Sequence, residues 1–374
     1  MSLHTYNTER IFVPLFLLAF VLIKRKEIKF SKTIIISFLI FLFSASLVGY
    51  QMLSGVGMAR YEKLKILSPN TIFQIGEWRQ NSHLPSPLPT LLYNRPVYFV
   101  KTVIANYLGY FSPQFIFQQK GAQTQFAIPQ QNLYTWPVLF LALIGLYFCL
   151  KSFKNKNPQI LLAWLLLSPL AASVTADPPQ AIRPNPLIPA VVCLSVLGLY
   201  YLTDRFNRYA GFILSLYLGS AIVFFGFYLH IYNTTYAQAY SGSWQYGYQQ
   251  MLQFVSDHQS QYSRIFITKK YGEPHIFYAF FNKLNPKEIQ PGGDNIRFYQ
   301  SDWYWTDKIG KVYFVNDWDI PDTDVYQLKL ESGSLVSTAN SLLISSDHAP
   351  RNVNKLETIN FLNGQTAFII SAMP

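Results

Sequence analysis

Six apolar runs, separated by short polar turns and one long polar loop, organise the first 232 residues. They cover roughly residues 10–23, 33–52, 133–150, 160–174, 186–202 and 211–231. A helix needs about 20 apolar residues to cross the ~30 Å hydrocarbon layer of a bilayer, and all six approach that length. The first and fourth are short, which fits a tilted helix, a partly buried one, or one shielded by its neighbours. The pattern predicts a transmembrane domain at 1–232 of about six helices, with a long outer loop at 53–132.

From Asn233 the apolar runs shorten and Asp, Ser, Asn and Gln become frequent. SWQYGYQQMLQFVSDHQ has helical period, RIFITKK reads as a buried strand, and EPHIFYAFFNKLN as a second helix. KVYFVNDW and SLLISSD read as further strands. In LETINFLNGQTAFIISA the turn signal Asn363-Gly364 separates two strand-like runs. Strands alternating with helices predict an α/β domain at 233–374, with a mainly parallel sheet and an antiparallel edge. No glycine-rich phosphate loop follows its first strand.

Composition supports the division. Half of the 374 residues are hydrophobic and only 13% are charged, yet mean hydropathy is just +0.14, as a mixture of spans and water-exposed chain requires. The net charge of +11 gains meaning from its location. Lys24, Arg25, Lys26, Lys29 and Lys32 lie between the first two runs, Lys151, Lys154 and Lys156 between the third and fourth, and Arg205 and Arg208 between the fifth and sixth. In a six-span alternation these turns share one side, which the positive-inside rule makes cytoplasmic. Both termini, the long loop and the C-terminal domain are then extracytoplasmic, in a multi-pass protein of the plasma (inner) membrane. Topology accounts for the charge, so no nucleic-acid partner is expected. The first run is not read as a signal peptide, because its positive charges follow it and no small-residue cleavage site appears.

Familiar soluble motifs (HExxH, GxSxG, a Walker loop, His and Cys at ligand spacing) are absent. Cys149 and Cys193 sit in apolar runs and read as small buried side chains. No cofactor is called for, and a divalent metal stays open. Chemistry is therefore sought at the outer ends of the spans. Glu9 and Arg10 open the first run: one reading is a solvated helix cap, the other a cation that Arg10 presents to phosphate. TADPPQAIRPNPLIPAV, between the fourth and fifth runs, holds five prolines with Asp177 and Arg183. Its stiffness would aim Arg183 at an anionic ligand, or the arginine simply snorkels to headgroups. In the long loop, Tyr98, Val103, Tyr107, Tyr110 and Phe111 fall near helical spacing. They predict an amphipathic helix, lying at the interface or packed on the protein's own spans. His83, Trp78 and Tyr93 read as structural.

Taken in order, YNTERIFVPL, ARYEKLKI, NYLGYFSPQFIF, LYTWPVLFLALIGL, LSPLAASVTADPPQAIR and an outer domain beginning WQYGYQQ resemble the C-terminal half of bacterial GT-C membrane glycosyltransferases. The likeness is to the broad family 39 or protein O-mannosyltransferase-like group. It implies an inverting, multispan enzyme that takes a sugar from a polyprenyl-phosphate-linked donor to an extracytoplasmic acceptor. Arg10 and Arg183 would neutralise the carrier phosphate, with Glu9 and Asp177 beside them. Such enzymes commonly take their base from an acidic residue in a first outer loop of earlier spans. That loop has no counterpart here, so the catalytic base is unassigned, and the expectation is a fragment, a misjudged start, or one half of a split enzyme with an N-terminal partner half. Gln180 stands where relatives often carry a ring-bearing polar residue. The alternative expectation is a non-catalytic membrane accessory or scaffold protein whose outer domain binds a partner or glycan. A transporter is the weaker third reading, since no span centre carries a charge.

Overall fold

The computed structural model describes residues 2–29, 31–53, 64–118, 124–129, 131–176, 180–300 and 303–374. The chain divides into two compact units, Met1–Tyr228 and Leu229–Pro374.

All six apolar runs of the first unit are helical. Besides the short helices Ser2–Thr5 and Leu88–Leu92, the helices are α1 (Glu9–Lys24), α2 (Lys32–Leu53), α3 (Pro69–Gln80), α4 (Arg95–Gly109), α5 (Trp136–Lys151), α6 (Lys156–Leu167), α7 (Leu170–Ser173), α8 (Leu187–Arg205) and α9 (Ala210–Ile231). Among the described residues three helical stretches are long and apolar enough to cross a membrane: α2, α8, and residues 207–239, which contain α9. None of α9's residues is buried, and α2 buries Val48 alone, so both turn apolar faces outward, as lipid-facing helices do. The run at 160–174 is two pieces. Ser168 Oγ bonds back to the Trp164 carbonyl at 2.7 Å, and Pro169, which has no N–H to continue the ladder, separates α6 from α7.

Helices α5 and α8 cross in near backbone contact. A Cβ placed on Gly145 would lie 1.9 Å from Leu194 O, and one on Gly198 would lie 1.9 Å from Leu141 O. Only glycine permits such an approach, which strengthens packing between apolar helices. The rings of Phe148 and Tyr201, three residues beyond each glycine, lie 5.5 Å apart, so the two helices run parallel and α6 returns between them. Helix α1 runs antiparallel to α6: Phe12 and Phe16 flank Trp164, with centroids at 6.4 and 5.4 Å, while Glu27, just past α1, reaches Lys156 at 2.8 Å. The turns after α1, α5 and α8 therefore share one end of the bundle. These are the three basic turns.

The second unit opens with α10 (Tyr248–His258) and α11 (Pro274–Phe281) around β1 (Arg264–Thr268). It continues through β2 (Ile296–Gln300), β3 (Trp303–Ile309), β4 (Val312–Val315), β5 (Gln327–Lys329), β6 (Leu335–Ser337), β7 (Ser341–Ser345), β8 (Asn354–Asn360) and β9 (Thr366–Ala372). Seven strands form one sheet in the order β2-β3-β4-β1-β7-β9-β8, and β5 pairs with β6. On one face Tyr248, Met251, Leu252 and Val255 of α10 pack with Ile265, Phe314, Ile344 and Phe368. On the other, Leu328 and Leu330 cover Phe266 and Leu343. Burying each such side chain contributes about 1.5–3 kcal/mol.

The sheet is mixed rather than mainly parallel. Only β1 is parallel to its neighbours, β4 and β7; β2-β3, β3-β4, β7-β9 and β8-β9 are antiparallel. For β2-β3, β3-β4 and β8-β9 the cause is local, because strands joined by tight turns must return antiparallel. Gly310 (φ 57°) and Gly364 (φ 86°) supply two of those turns. Strands β2 and β3 escape an apolar-run reading because IRFYQ interleaves polar residues with its large ones.

The helix crossing gives a direct test. Gly198→Leu should destabilise the first unit by about 1–3 kcal/mol or more through overpacking, read as a lower unfolding temperature in detergent. Gly219→Ala, whose added Cβ meets nothing within 4 Å, should leave that temperature unchanged or slightly higher.

Candidate functional site

At the end of the helical unit opposite the basic turns, one hydrogen-bonded loop gathers most of the polar chemistry. Thr175 is its centre. Its hydroxyl donates to Ala172 O at 2.8 Å and accepts from Arg183 Nη1 at 2.7 Å. Its backbone bridges Lys65, and Ala176 N donates to Leu64 O at 2.8 Å. Asn106 of α4 donates to both Ser173 O and Thr175 O, at 3.1 and 2.8 Å. Arg183 N donates to Gln180 O at 3.3 Å, and Trp164 Nε1 donates to Pro186 O at 2.9 Å. Arg183, only 8% exposed, and Gln180 are thus fixed among proline-bounded turns. A hydrogen bond to a charged group contributes about 1.5–3 kcal/mol, so the Thr175 contact is a substantial anchor.

The other expected residues are placed less tightly. Glu9 is the first residue of α1, behind Thr8, which makes no side-chain cap. Arg10 donates from Nε to Leu3 O at 3.4 Å, and no Glu9–Arg10 ion pair forms among the described residues. Neighbours on a helix point to different faces. Phe12, one turn on, meets Trp164, whose indole holds Pro186, so a chain of contacts connects the start of α1 with the Arg183 loop. Asp177 lies outside the described residues, as does the ARYEK stretch.

The loop helix packs on the protein's own helices, one of its two expected readings. Asn106 and Tyr107 of α4, together with Tyr110 just past its end, dock on the protein's own bundle: Tyr107 Oη donates to Leu166 O at 2.9 Å, and Tyr110 packs with Phe115 and Ala172. The opposite face exposes Val97, Val100, Ile104 and Leu108.

A second polar cluster sits in the sheet domain, where the three parallel strands end. That position, beyond the carboxyl ends of neighbouring parallel strands, is where open α/β sheets bind ligands. Thr268 of β1 donates to buried Asp317 Oδ1 at 2.7 Å, just past β4. Ser346, just past β7, lies 2.7 Å from Asp317 Oδ2 and 2.8 Å from Asp347 Oδ1. Lys270 Nζ is 3.4 Å from Asp317 Oδ2. His348 Nε2 lies 3.0 Å from Ile320 O and must donate to it, leaving Nδ1 to face Asp347 Oδ1 at 3.4 Å and Asp317 Oδ2 at 3.7 Å. One Ser346 proton cannot serve both carboxylates; His348, when protonated, would supply a second donor. Burial lowers the His348 pKa, but the Ile320 carbonyl, Asp347 and the charges of Asp317 and Asp322 outweigh it and leave it raised. The Ser346 and His348 hydrogen bonds hold Asp347 below the usual carboxylate range. Asp317, Asp347 and His348 bring their ligand atoms within 4.8 Å of one another, a spacing that could hold a metal. The Lys270 ammonium already faces Asp317 Oδ2 at 3.4 Å, so a metal bound there would compete with it for that carboxylate.

Thr175 and Asn106 carry no motif, and their roles come from backbone carbonyls brought together by folding. The sheet cluster did leave a signal: TKK, NDW and SSDH each follow an apolar strand run. Comparison with family models, curated proteins and solved structures finds no match for this chain.

His348 gives a pH-dependent outcome. A raised folded pKa stabilises fully below the unfolded value of about 6.5 and is lost as pH climbs through the folded value. Hydrogen exchange of peptides from β1, β4 and β7 should be faster in His348→Gln than in the native chain at pH 6, with the difference gone at pH 9. A gap independent of pH would assign His348 to packing alone.

Proposed function

We propose that this chain carries the lipid-phosphate side of an integral-membrane glycosyltransferase. The enzyme would move a sugar from a polyprenyl-phosphate carrier to an acceptor outside the cytoplasm. In this reading α1, α2, α5, α6 with α7, α8 and α9 are six spans of a plasma (inner) membrane protein. The basic turns face the cytoplasm, and the long loop and sheet domain lie outside. Arg183 carries the reading: it is a buried guanidinium anchored on Thr175 in a proline-bounded loop, at the end of the bundle away from the basic turns. Sugar transfer breaks the bond between the anomeric carbon and the carrier oxygen, and the electron pair leaves with the phosphate. A cation already in position stabilises that charge without reorganising, and guanidinium geometry suits phosphate oxygens. Arg10 is the second cation of this surface, with Glu9 beside it in sequence.

One observation favours a second reading. Among the described residues of the helical unit, the carboxylates are Glu9, Glu27, Glu77 and Asp204. Glu27 bonds two lysines at the basic end, and Asp204 lies in the last turn of α8 at that same end. Of these, Glu9 and Glu77 are left to deprotonate an acceptor, and Glu62 and Asp177 lie outside the described residues. A partner half that supplies the base, or an accessory role in which the outer domain binds a partner or glycan, fits that scarcity.

The test is transfer from a polyprenyl-phosphate-linked hexose in membranes that hold the chain and any partner half. Arg183→Ala should lower transfer about 100-fold or more, the range for losing one preorganised donor. Arg183→Lys should recover part of it, and Thr175→Val should cost less than Arg183→Ala, with membrane insertion intact in all three. Unchanged transfer in Arg183→Ala removes Arg183 from the site.

A further inference from the structure

At the basic end of the bundle a groove of ≈ 1020 Å³ opens between α1, α5, α6 and α8. Its mouth carries Lys24, Lys154 and Lys156, and its walls include Leu161, Trp164 and Val196. Glu27 neutralises only part of this charge. Its carboxylate lies 2.8 Å from both Lys24 Nζ and Lys156 Nζ, which, with Lys156 first, hold its pKa down to about 2. Three ammonium groups against one carboxylate leave a formal excess of +2 at the mouth. The first turn of α6 begins there behind Asn155, which makes no side-chain cap. Charge and greasy surface are stacked along one helix: Lys156 and Trp164 are eight residues apart, about 12 Å at 1.5 Å per residue.

We propose that this groove binds an anionic phospholipid, its phosphate between Lys154 and Lys156 and one acyl chain along the wall from Leu161 to Trp164 and Val196. A free phosphate would satisfy the lysines and leave the apolar wall unused. A zwitterionic lipid would fill the wall and leave the excess positive charge unmatched. Basic pockets between spans favour acidic headgroups for this reason. The proposal needs the helices to lie in a bilayer and is independent of sugar transfer.

Native mass spectrometry of the full chain, released from nanodiscs of equimolar phosphatidylglycerol and phosphatidylcholine, tests it. The native chain should retain phosphatidylglycerol at least threefold over phosphatidylcholine. Lys154→Gln, which touches no ion pair described above, should reduce that preference. Lys154→Gln with Lys156→Gln should abolish it, and Val196→Trp should do so by filling the wall with every lysine kept. Lys26→Gln with Lys29→Gln, equal in charge but outside the groove, should keep it. Unfolding temperatures confirm that each variant is folded before its lipids are counted. Equal retention of the two lipids overturns the proposal, as does a preference lost equally in the Lys26/Lys29 control. Loss of bound lipid to millimolar inorganic phosphate alone assigns the site to free phosphate and overturns it too.

Discussion

The close parallel crossing of α5 and α8 at Gly145 and Gly198 is the constraint on which the helical unit depends. With Cβ atoms excluded from the contact, the two backbones fix each other's register, and a parallel register forces their C-terminal turns to one end. Helix α6, returning between them, brings Lys156 to that end and Trp164 toward the other. Phe12 and Phe16 then seat α1 against Trp164, which sends Lys24 and Glu27 to meet Lys156. Backbone proximity at two glycines thereby sorts the polar groups of the unit into two ends of different character.

Those ends differ in how their charges are held. At one, lysines sit partly exposed around a single carboxylate, an arrangement that solvent and headgroups can reach. At the other, Arg183 is buried and tied to Thr175, whose own carbonyl is held by Asn106 from a different helix. The second arrangement spends hydrogen bonds on fixing one cation, and a fixed cation suits a developing phosphate charge better than a mobile one. The sheet domain repeats the theme with opposite sign: Asp317 is buried past the end of β4, and Thr268, Ser346, Lys270 and His348 surround it from the ends of the two neighbouring strands β1 and β7. His348 joins the cluster to the Ile320 carbonyl.

Much of this architecture was legible in the residues alone. The apolar runs locate the helices to within a few positions, and the Asn363-Gly364 turn between β8 and β9 reads directly from its φ requirement. The break at Ser168-Pro169 is visible only as a proline inside an apolar run. The Gly145–Gly198 crossing is not legible at all, because a glycine in an apolar helix looks neutral until its neighbour is known. The mixed sheet was misread because strand direction depends on which runs are joined by tight turns, and IRFYQ hides a strand. Arg183 stood out as a charge among prolines. Its anchor did not, since Thr175 acts through a hydroxyl and a carbonyl that any threonine possesses.

The central claim is that the Arg183 loop and the lysine-rich turns lie on opposite sides of a membrane. Cysteines placed singly at Asn185 and Lys154, both exposed, measure this with a membrane-impermeant maleimide; the chain carries Cys193→Ala, because Cys193 is exposed where its apolar run suggested burial, while Cys149 is buried. The account expects Asn185→Cys to label in intact spheroplasts and Lys154→Cys to label only after the membrane is opened. Labelling of both from the same side, or of Lys154→Cys alone in intact spheroplasts, would contradict it.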